Sequence, residues 1–221
     1  MIRVTNCLRI GKVPGVTLTK WQRIWEERFP GIDLAVEEVT LEQQRGRVVD
    51  GSLDLCFARL PIGRDGLHAI PLYDEVPVVW MSKDHVLAEL DEVSLDDLAD
   101  ENVIEDAEPA SIDLATYSAA VLRVPMSVAR SLSRRDMVYR NVTDAPPTTV
   151  ALVWRVDDEN PLIDEFIGIV RGRSVNSSRS EAERRTKEAP EPRKPPAQAG
   201  RTGGTRRGSR NGARRQRPTR R

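Results

Sequence analysis

Cysteine and histidine are scarce in this chain of 221 residues, two of each, and that scarcity removes whole classes of chemistry. Cys7 and Cys56 lie in apolar, strand-like runs, CLRIG and LDLCFA, the setting of small buried hydrophobes rather than of a disulfide or a reactive thiol. His68 and His85 have no cysteine or carboxylate at metal-ligand spacing, and Asp84 beside His85 is not enough, so no metal site is expected. There is no GxSxG, no P-loop and no dinucleotide-binding fingerprint. The pairs Glu37–Glu38, Asp96–Asp97 and Asp157–Asp158 are adjacent in sequence, so in a helix or strand they point apart and read as solvated charge. Neither an enzyme nor a cofactor site is expected. No stretch approaches the roughly 20 apolar residues of a membrane span. The N-terminal MIRVTNCLRIGKVPG lacks the apolar core and cleavage site of a signal peptide. These absences predict a soluble, cytoplasmic protein, associated with the nucleoid if it engages DNA.

Lysine is scarce too, 5 against 29 arginines. Codon bias explains arginine over lysine but not its clustering. Residues 171–221 hold seventeen basic and four acidic residues, so a net charge of +13 there balances −13 in residues 1–170. Alanines aside, this tail has no aromatic and one aliphatic residue, Val175. Its composition cannot offset the entropy of ordering, which predicts disorder over 172–221. Residues 171–199 mix Ser, Glu, Pro and Arg as a linker does, while 200–221 (GRTGGTRRGSRNGARRQRPTRR) concentrate arginine among Gly, Ser and Thr. Arg201, Arg206, Arg207, Arg210, Arg214, Arg215, Arg217, Arg220 and Arg221 are the candidates for neutralising phosphates of DNA or RNA. Such binding is sequence-independent and strongly salt-dependent. The alternatives are a solvated tail without a role, or one that binds the acidic body of its own or another copy.

Ahead of the tail, about 170 residues suit one domain or two small lobes. CLRIG reads as a strand, Pro14 and Gly15 as a loop, and Leu18, Trp21, Trp25 and Phe29 fall at helical spacing. Ile32, Leu34 and Val36 alternate as a strand does, Thr40 with Gln43 forms a capping box for a helix that stops at Gly51, and Leu53 to Ala58 is an apolar strand interrupted by Asp54. The order β-α-β-α-β predicts right-handed crossovers and a largely parallel sheet. Further on, strands are expected at His68–Leu72, Val76–Ser82, Asn102–Glu105, Val121–Val124, Met137–Val142 and Thr148–Val156. Helices are expected at SLDDLAD, from about Ser111, from Pro125, and after Asn160 and Pro161, where Leu162, Phe166, Ile167 and Val170 form one apolar face.

LRIGKVPG, WEERFPGIDLAVEE, LEQQRGRVVDGSLDLCFARLP, LHAIPLYDEVPVVWMSKDHVLA, SLDDLADENVI, AAVLRVPMSVAR and TVALVWRVDDENPLIDEFIGIVR follow one another in an order and spacing that resembles the effector-binding domain of LysR-type transcriptional regulators. The resemblance covers residues 7 to 171. It implies a type II periplasmic-binding-protein fold, two α/β lobes joined by two crossover strands with a small-molecule cleft between them. The crossovers are expected near Val103–Asp106 and Tyr139–Thr149, giving lobe I at about 7–103 and 150–171 and lobe II at about 104–149. Two departures stand out. The family's winged helix-turn-helix has no counterpart ahead of residue 7, which suggests a stand-alone effector domain. Between Ile104 and Ala119 the family has a longer stretch than EDAEPASIDLATYSA, so a shortened second lobe is expected.

By this resemblance the loop after the first strand is one wall of the cleft, with Pro14, Gly15, Thr17 and Thr19 as ligand contacts; a helix N-terminus there can hold a carboxylate or phosphate, and plain capping by Thr17 is the bland alternative. Arg59, Leu60 and Pro61 follow the third strand, where ligands of parallel sheets bind. Arg59 is placed to meet an anionic effector, or to make a surface ion pair. Arg123, with Val124 and Pro125, is the candidate from the second lobe. The acidic residues and Pro109 in Asp106–Ser111 argue against an anion at that point. Effector sensing linked to transcription is the expected function. The competing expectation is an interaction or nucleoid-associated module, dimeric or paired with another regulator, whose shortened cleft holds no ligand.

Overall fold

Leu8 and Ile10 alternate with Cys7 and Arg9, and this period of two builds β1 (Cys7–Lys12) with both aliphatic residues fully buried. In the computed structural model, which describes residues 6–172, β1 runs parallel to β2 (Asp33–Glu38) on one side and β3 (Leu55–Arg59) on the other. Two helices make the connections, α1 (Thr19–Arg28) and α2 (Gln43–Val49), as the β-α-β-α-β reading predicts. All five residues of β3 are buried, so the strand is covered on both faces. Trp25 on α1 is fully buried, its indole N–H donates to the Ile32 carbonyl at 2.9 Å, and Trp21 stacks on Phe57 at 5.0 Å. The sheet is completed by β4 (Leu67–Glu75) and β10 (Thr148–Arg155), both antiparallel to their neighbours, in the order β2-β1-β3-β10-β4. The last helix, α5 (Pro161–Val170), is capped by Asn160, whose side-chain oxygen accepts from the Leu162 N–H at 3.1 Å. Its Phe166 meets Phe57 edge-on at 6.2 Å, which closes the core of the first lobe.

The second lobe is a sheet of order β6-β9-β5-β8-β7, made of β5 (Pro77–Ser82), β6 (Glu92–Val93), β7 (Val103–Ile104), β8 (Val121–Pro125) and β9 (Met137–Val142). Helices α3 (Pro109–Thr116) and α4 (Met126–Ser131) cover one face over Trp80, Ile112, Leu122 and Val128. The opposite face packs Val79, Met81 and Val121 against Leu87 and Leu98. The short stretch between Ile104 and Ala119 houses α3 and no strand, and the lobe still has a sheet of five strands.

Two readings of the sequence are corrected here. The first crossing lies at Val76, between β4 of one sheet and β5 of the other, and not at Val103–Asp106; Val103–Ile104 is instead the outer strand β7, paired with β8. Strands of the second sheet therefore begin at Pro77, not at 104, and end at Val142, with the return crossing at 143–147. The crossing left no mark in sequence because the chain passes straight through a single residue, without the Gly, Asn or Asp that a turn demands. Second, SLDDLAD forms consecutive tight turns rather than a helix, closed by Leu98 N–H to Leu95 O and Ala99 N–H to Asp96 O. The capping signal is real: Asp97 accepts from the Ser94 N–H at 2.8 Å, and these bonds to Ser94 hold its carboxyl below the usual range. Three aspartates in seven residues supply competing local acceptors and little helix propensity.

Asp54, the one charge in the third strand's run, is explained by β1. It accepts from the Arg9 N–H at 2.8 Å and from the Arg9 guanidinium at 2.6 Å, so a nearly buried carboxylate has its partners. The cysteines sit in the same sheet. Gly11 is the register partner of Cys56, and Cys7 lies four residues further back along β1, roughly 13 Å away at about 3.3 Å per residue, whereas a disulfide needs Cα atoms within about 7 Å. Burial pushes the Cys56 thiol up to about 12, which suppresses the thiolate. The folded protein is therefore expected to expose at most one thiol, Cys7, to an aromatic disulfide reagent at pH 8, with Cys56 reacting only after denaturation. Two thiols titrating in the native protein contradict this packing.

Candidate functional site

β3 ends at Arg59, and everything around that residue converges on it. Its peptide is clamped by Gln44 of α2, which accepts from the Arg59 N–H at 2.8 Å and donates to the Arg59 carbonyl at 3.1 Å. Its side chain is only 7% exposed, and Nε donates to Glu75 Oε2 at 2.7 Å while Nη2 donates to the Pro14 carbonyl at 3.0 Å. Glu75 is the last residue of β4, one step before the crossing, and its side chain is 3% exposed. Its second oxygen accepts from the Ser127 hydroxyl on α4. One carboxylate thus joins the end of β3 in the first lobe to a helix of the second.

Gly15 brings the same two lobes into contact. Its φ is +86°, and a Cβ there would lie 2.6 Å from Ser127 Oγ and 2.8 Å from the Val128 nitrogen. Glycine is required both for the left-handed backbone and for the close approach. On this side the loop after β1 rests on the start of α4. Beyond the clasp, the Met126 N–H donates to the Val76 carbonyl at 2.9 Å, which ties the first crossing to α4, and the Leu60 N–H donates to the Thr149 carbonyl at 2.9 Å, which extends the β3–β10 pairing within the first lobe.

On the other side the lobes stand apart around a hollow of about 540 Å³. The first lobe contributes Leu41, Glu42, Gln44, Arg59, Leu60, Pro61 and Thr148; the second contributes Pro77, Glu105, Arg123, Val124 and Pro125; the return crossing contributes Ala145 and Pro146. A hollow of this size suits a small organic molecule. Its walls are mainly apolar and proline-rich, with a few charges. Arg123 is paired with Glu105. Glu42 stands exposed at the start of α2, where the Thr40 hydroxyl and the backbone hold its carboxyl below the usual range against the opposing charge of Asp106.

Four of the residues singled out from sequence, Arg59, Leu60, Pro61 and Arg123, meet in this hollow. Pro14 and Gly15 do not line it; they belong to the clasp beside it. Thr17 and Thr19 are exposed and also outside the lining. Thr17 does not cap α1 either, since the helix opens at Thr19 after Leu18 without a side-chain cap. The sequence reading did not single out Leu41, Glu42, Gln44, Pro77, Glu105, Ala145, Pro146 or Thr148 as ligand contacts. Pro146 in the return crossing was a usable signal, because proline cannot donate to a strand ladder. Glu42 and Glu105 carried no such mark. The nine arginines named between Arg201 and Arg221 lie outside the described residues. Among the described residues, no group of three or more His, Cys, Asp or Glu is placed to hold a metal ion, and no helix is long and apolar enough to cross a membrane.

Comparison with known proteins agrees with this architecture. The chain is 20% identical over 190 residues to the HTH-type transcriptional regulator AlsR of Bacillus subtilis (strain 168), an alignment covering 72% of this chain and 63% of AlsR. It is 33% identical over 86 residues to a probable hydrogen peroxide-inducible genes activator of Streptomyces viridosporus, covering 38% of this chain and 28% of that protein. The chain thus spans less than two thirds of the length of either relative. Among solved structures, the BenM effector binding domain with its effector benzoate matches with a TM-score of 0.63 at 19% identity, covering 75% of this chain and 90% of that one. The reduced form of OxyR matches with a TM-score of 0.62 at 20% identity, covering 76% and 95%. The profile of the LysR substrate binding domain matches residues 7–119, just over half of the sequence, and with the two-lobed fold above it shows that this chain belongs to the LysR substrate-binding-domain family.

Proposed function

We propose that the body of this protein is the sensing part of a transcription regulator and that a small molecule held in the hollow between the lobes sets their relative position. The observation that carries this reading is the composition of the walls. Both lobes and the return crossing contribute, so an occupant touches both parts that move when one lobe turns against the other, and it acts by favouring one arrangement over another. The clasp of Arg59, Glu75 and Ser127 on one side and the gap on the other make such a movement a hinge about the clasp.

A specific observation favours occupancy over redox sensing. Two of the similar proteins are a peroxide-inducible activator and OxyR, yet Cys7 and Cys56 of this chain are about four residues out of register, and Cys56 is fully buried. An internal disulfide between them is excluded by distance. One observation also supports the competing reading of an interaction module: Arg59, Arg123 and Glu105 are already satisfied by protein partners, so no orphaned buried group in the hollow demands a ligand.

A thermal-shift screen of small metabolites separates the two readings. A ligand at about one hundred times its Kd adds roughly 2.7 kcal/mol, worth about 5–10 °C in Tm for a body of this size. At least one compound is expected to produce a concentration-dependent rise that shrinks in Leu41→Trp, an exposed position that fills part of the hollow. Silence across the screen, or shifts indifferent to Leu41→Trp, sinks the sensing reading.

Nucleic acid is assigned to the tail by charge alone. Removing residues 172–221 is expected to abolish retention of non-specific DNA at low salt, and for the intact chain log affinity is expected to fall steeply with log salt, by about 0.9 per phosphate neutralised. If the truncated protein holds DNA as tightly as the intact chain throughout a salt titration, the tail is not the contact.

A further inference from the structure

We infer that the molecule this hollow accepts is a small organic cation, an ammonium group on a compact apolar body; the inference rests on the hollow being a ligand site. The walls supply the apolar part of the fit through Leu41, Leu60, Pro77, Val124, Pro125 and Pro146. The charges supply the rest, and they are not balanced.

Both guanidinium groups are engaged. Arg59 is held by Glu75 and the Pro14 carbonyl, and Arg123 by Glu105. An anion seated here must draw one of them away from its carboxylate. For Arg59 that leaves Glu75, 3% exposed, without its cation, and an unpaired buried carboxylate costs several kcal/mol. The acidic side has no such constraint. Glu42 lines the hollow, and the groups acting on its carboxyl are the Thr40 hydroxyl, its own backbone and the like charge of Asp106, with no cation among them. Asp106 spends one oxygen on the Glu108 N–H at 3.0 Å. The lining and its direct partners therefore set Arg59 and Arg123 against Glu42, Glu75 and Glu105, so Glu42 is the one charge without a counterpart in that set. An ammonium group meets Glu42 without breaking any existing pair, while its apolar body displaces water from the proline-rich walls.

The test uses three molecules with one apolar body: cyclohexylmethylamine, cyclohexylmethanol and cyclohexanecarboxylate, titrated against the intact chain by thermal shift and calorimetry. The amine is expected to bind and raise Tm, with the alcohol weaker and the carboxylate weakest. Glu42→Gln, at an exposed position that leaves the fold intact, is expected to weaken the amine about three- to tenfold, in line with a partly screened charge pair. Glu42→Gln combined with Glu105→Gln frees Arg123 and is expected to reverse the order, so that the carboxylate binds better than the amine. A wild-type preference for the carboxylate overturns the assignment of charge while leaving the hollow a ligand site. Amine binding that Glu42→Gln does not change places the cation elsewhere and overturns the inference. If none of the three binds up to its solubility, the assignment of a cation on a compact apolar body is overturned, while the sensing reading is decided separately by the metabolite screen.

Discussion

A single buried carboxylate organises the meeting of the two lobes. Glu75 sits where β4 leaves its sheet, and it faces Arg59 at the end of β3 and Ser127 at the start of α4. A carboxylate with 3% of its surface exposed survives only with a paired charge and satisfied lone pairs. Its demand for partners fixes three things at once: the rotamer of Arg59, the approach of α4, and through the Arg59–Pro14 bond the position of the loop after β1. Gly15 is the steric side of the same constraint, since the space its missing Cβ leaves is where α4 begins. The hollow lies between lobes that are held together at this edge and at the crossing through Val76.

That arrangement gives Arg59 a different meaning from the one its position suggests. An arginine at the carboxyl end of a parallel strand invites an anionic ligand. Here its charge belongs to the fold, and Gln44 fixes its backbone from the other side. The hollow is lined by an arginine whose charge is already neutralised. Polarity at the opening comes instead from the carboxylates of Glu42 and Glu105, the second of which is balanced by Arg123.

Much of the fold was legible because it follows from period and punctuation. The β9 strand, Met137–Val142, falls where its alternation predicts, and Asn160 followed by Pro161 marks the start of α5 by the two commonest devices for opening a helix. The pairing of β1 with β2 and β3 follows from strand-helix alternation. What stayed hidden has physical reasons. The crossing at Val76 needs no turn chemistry, so nothing in the sequence there marks a change of sheet. The aspartates of SLDDLAD satisfy backbone groups locally and hold the segment in turns. Glu75 could not be told from an ordinary solvated glutamate, because burial of a charge is decided by a partner sixteen residues away in sequence. For the same reason only part of the hollow was anticipated, namely the residues at the strand end and Arg123, while the carboxylates that set its charge were not.

The account stands or falls on the coupling between Arg59 and Glu75, and a thermodynamic cycle on denaturant unfolding measures it directly. Arg59→Met and Glu75→Leu, each alone, strand a buried charge and are predicted to cost about 3–5 kcal/mol, whereas the double variant removes both charges and is predicted to lose less than either single change. Losses that simply add in the double variant, or single variants as stable as the wild type, contradict the claim that this buried pair holds the two lobes together.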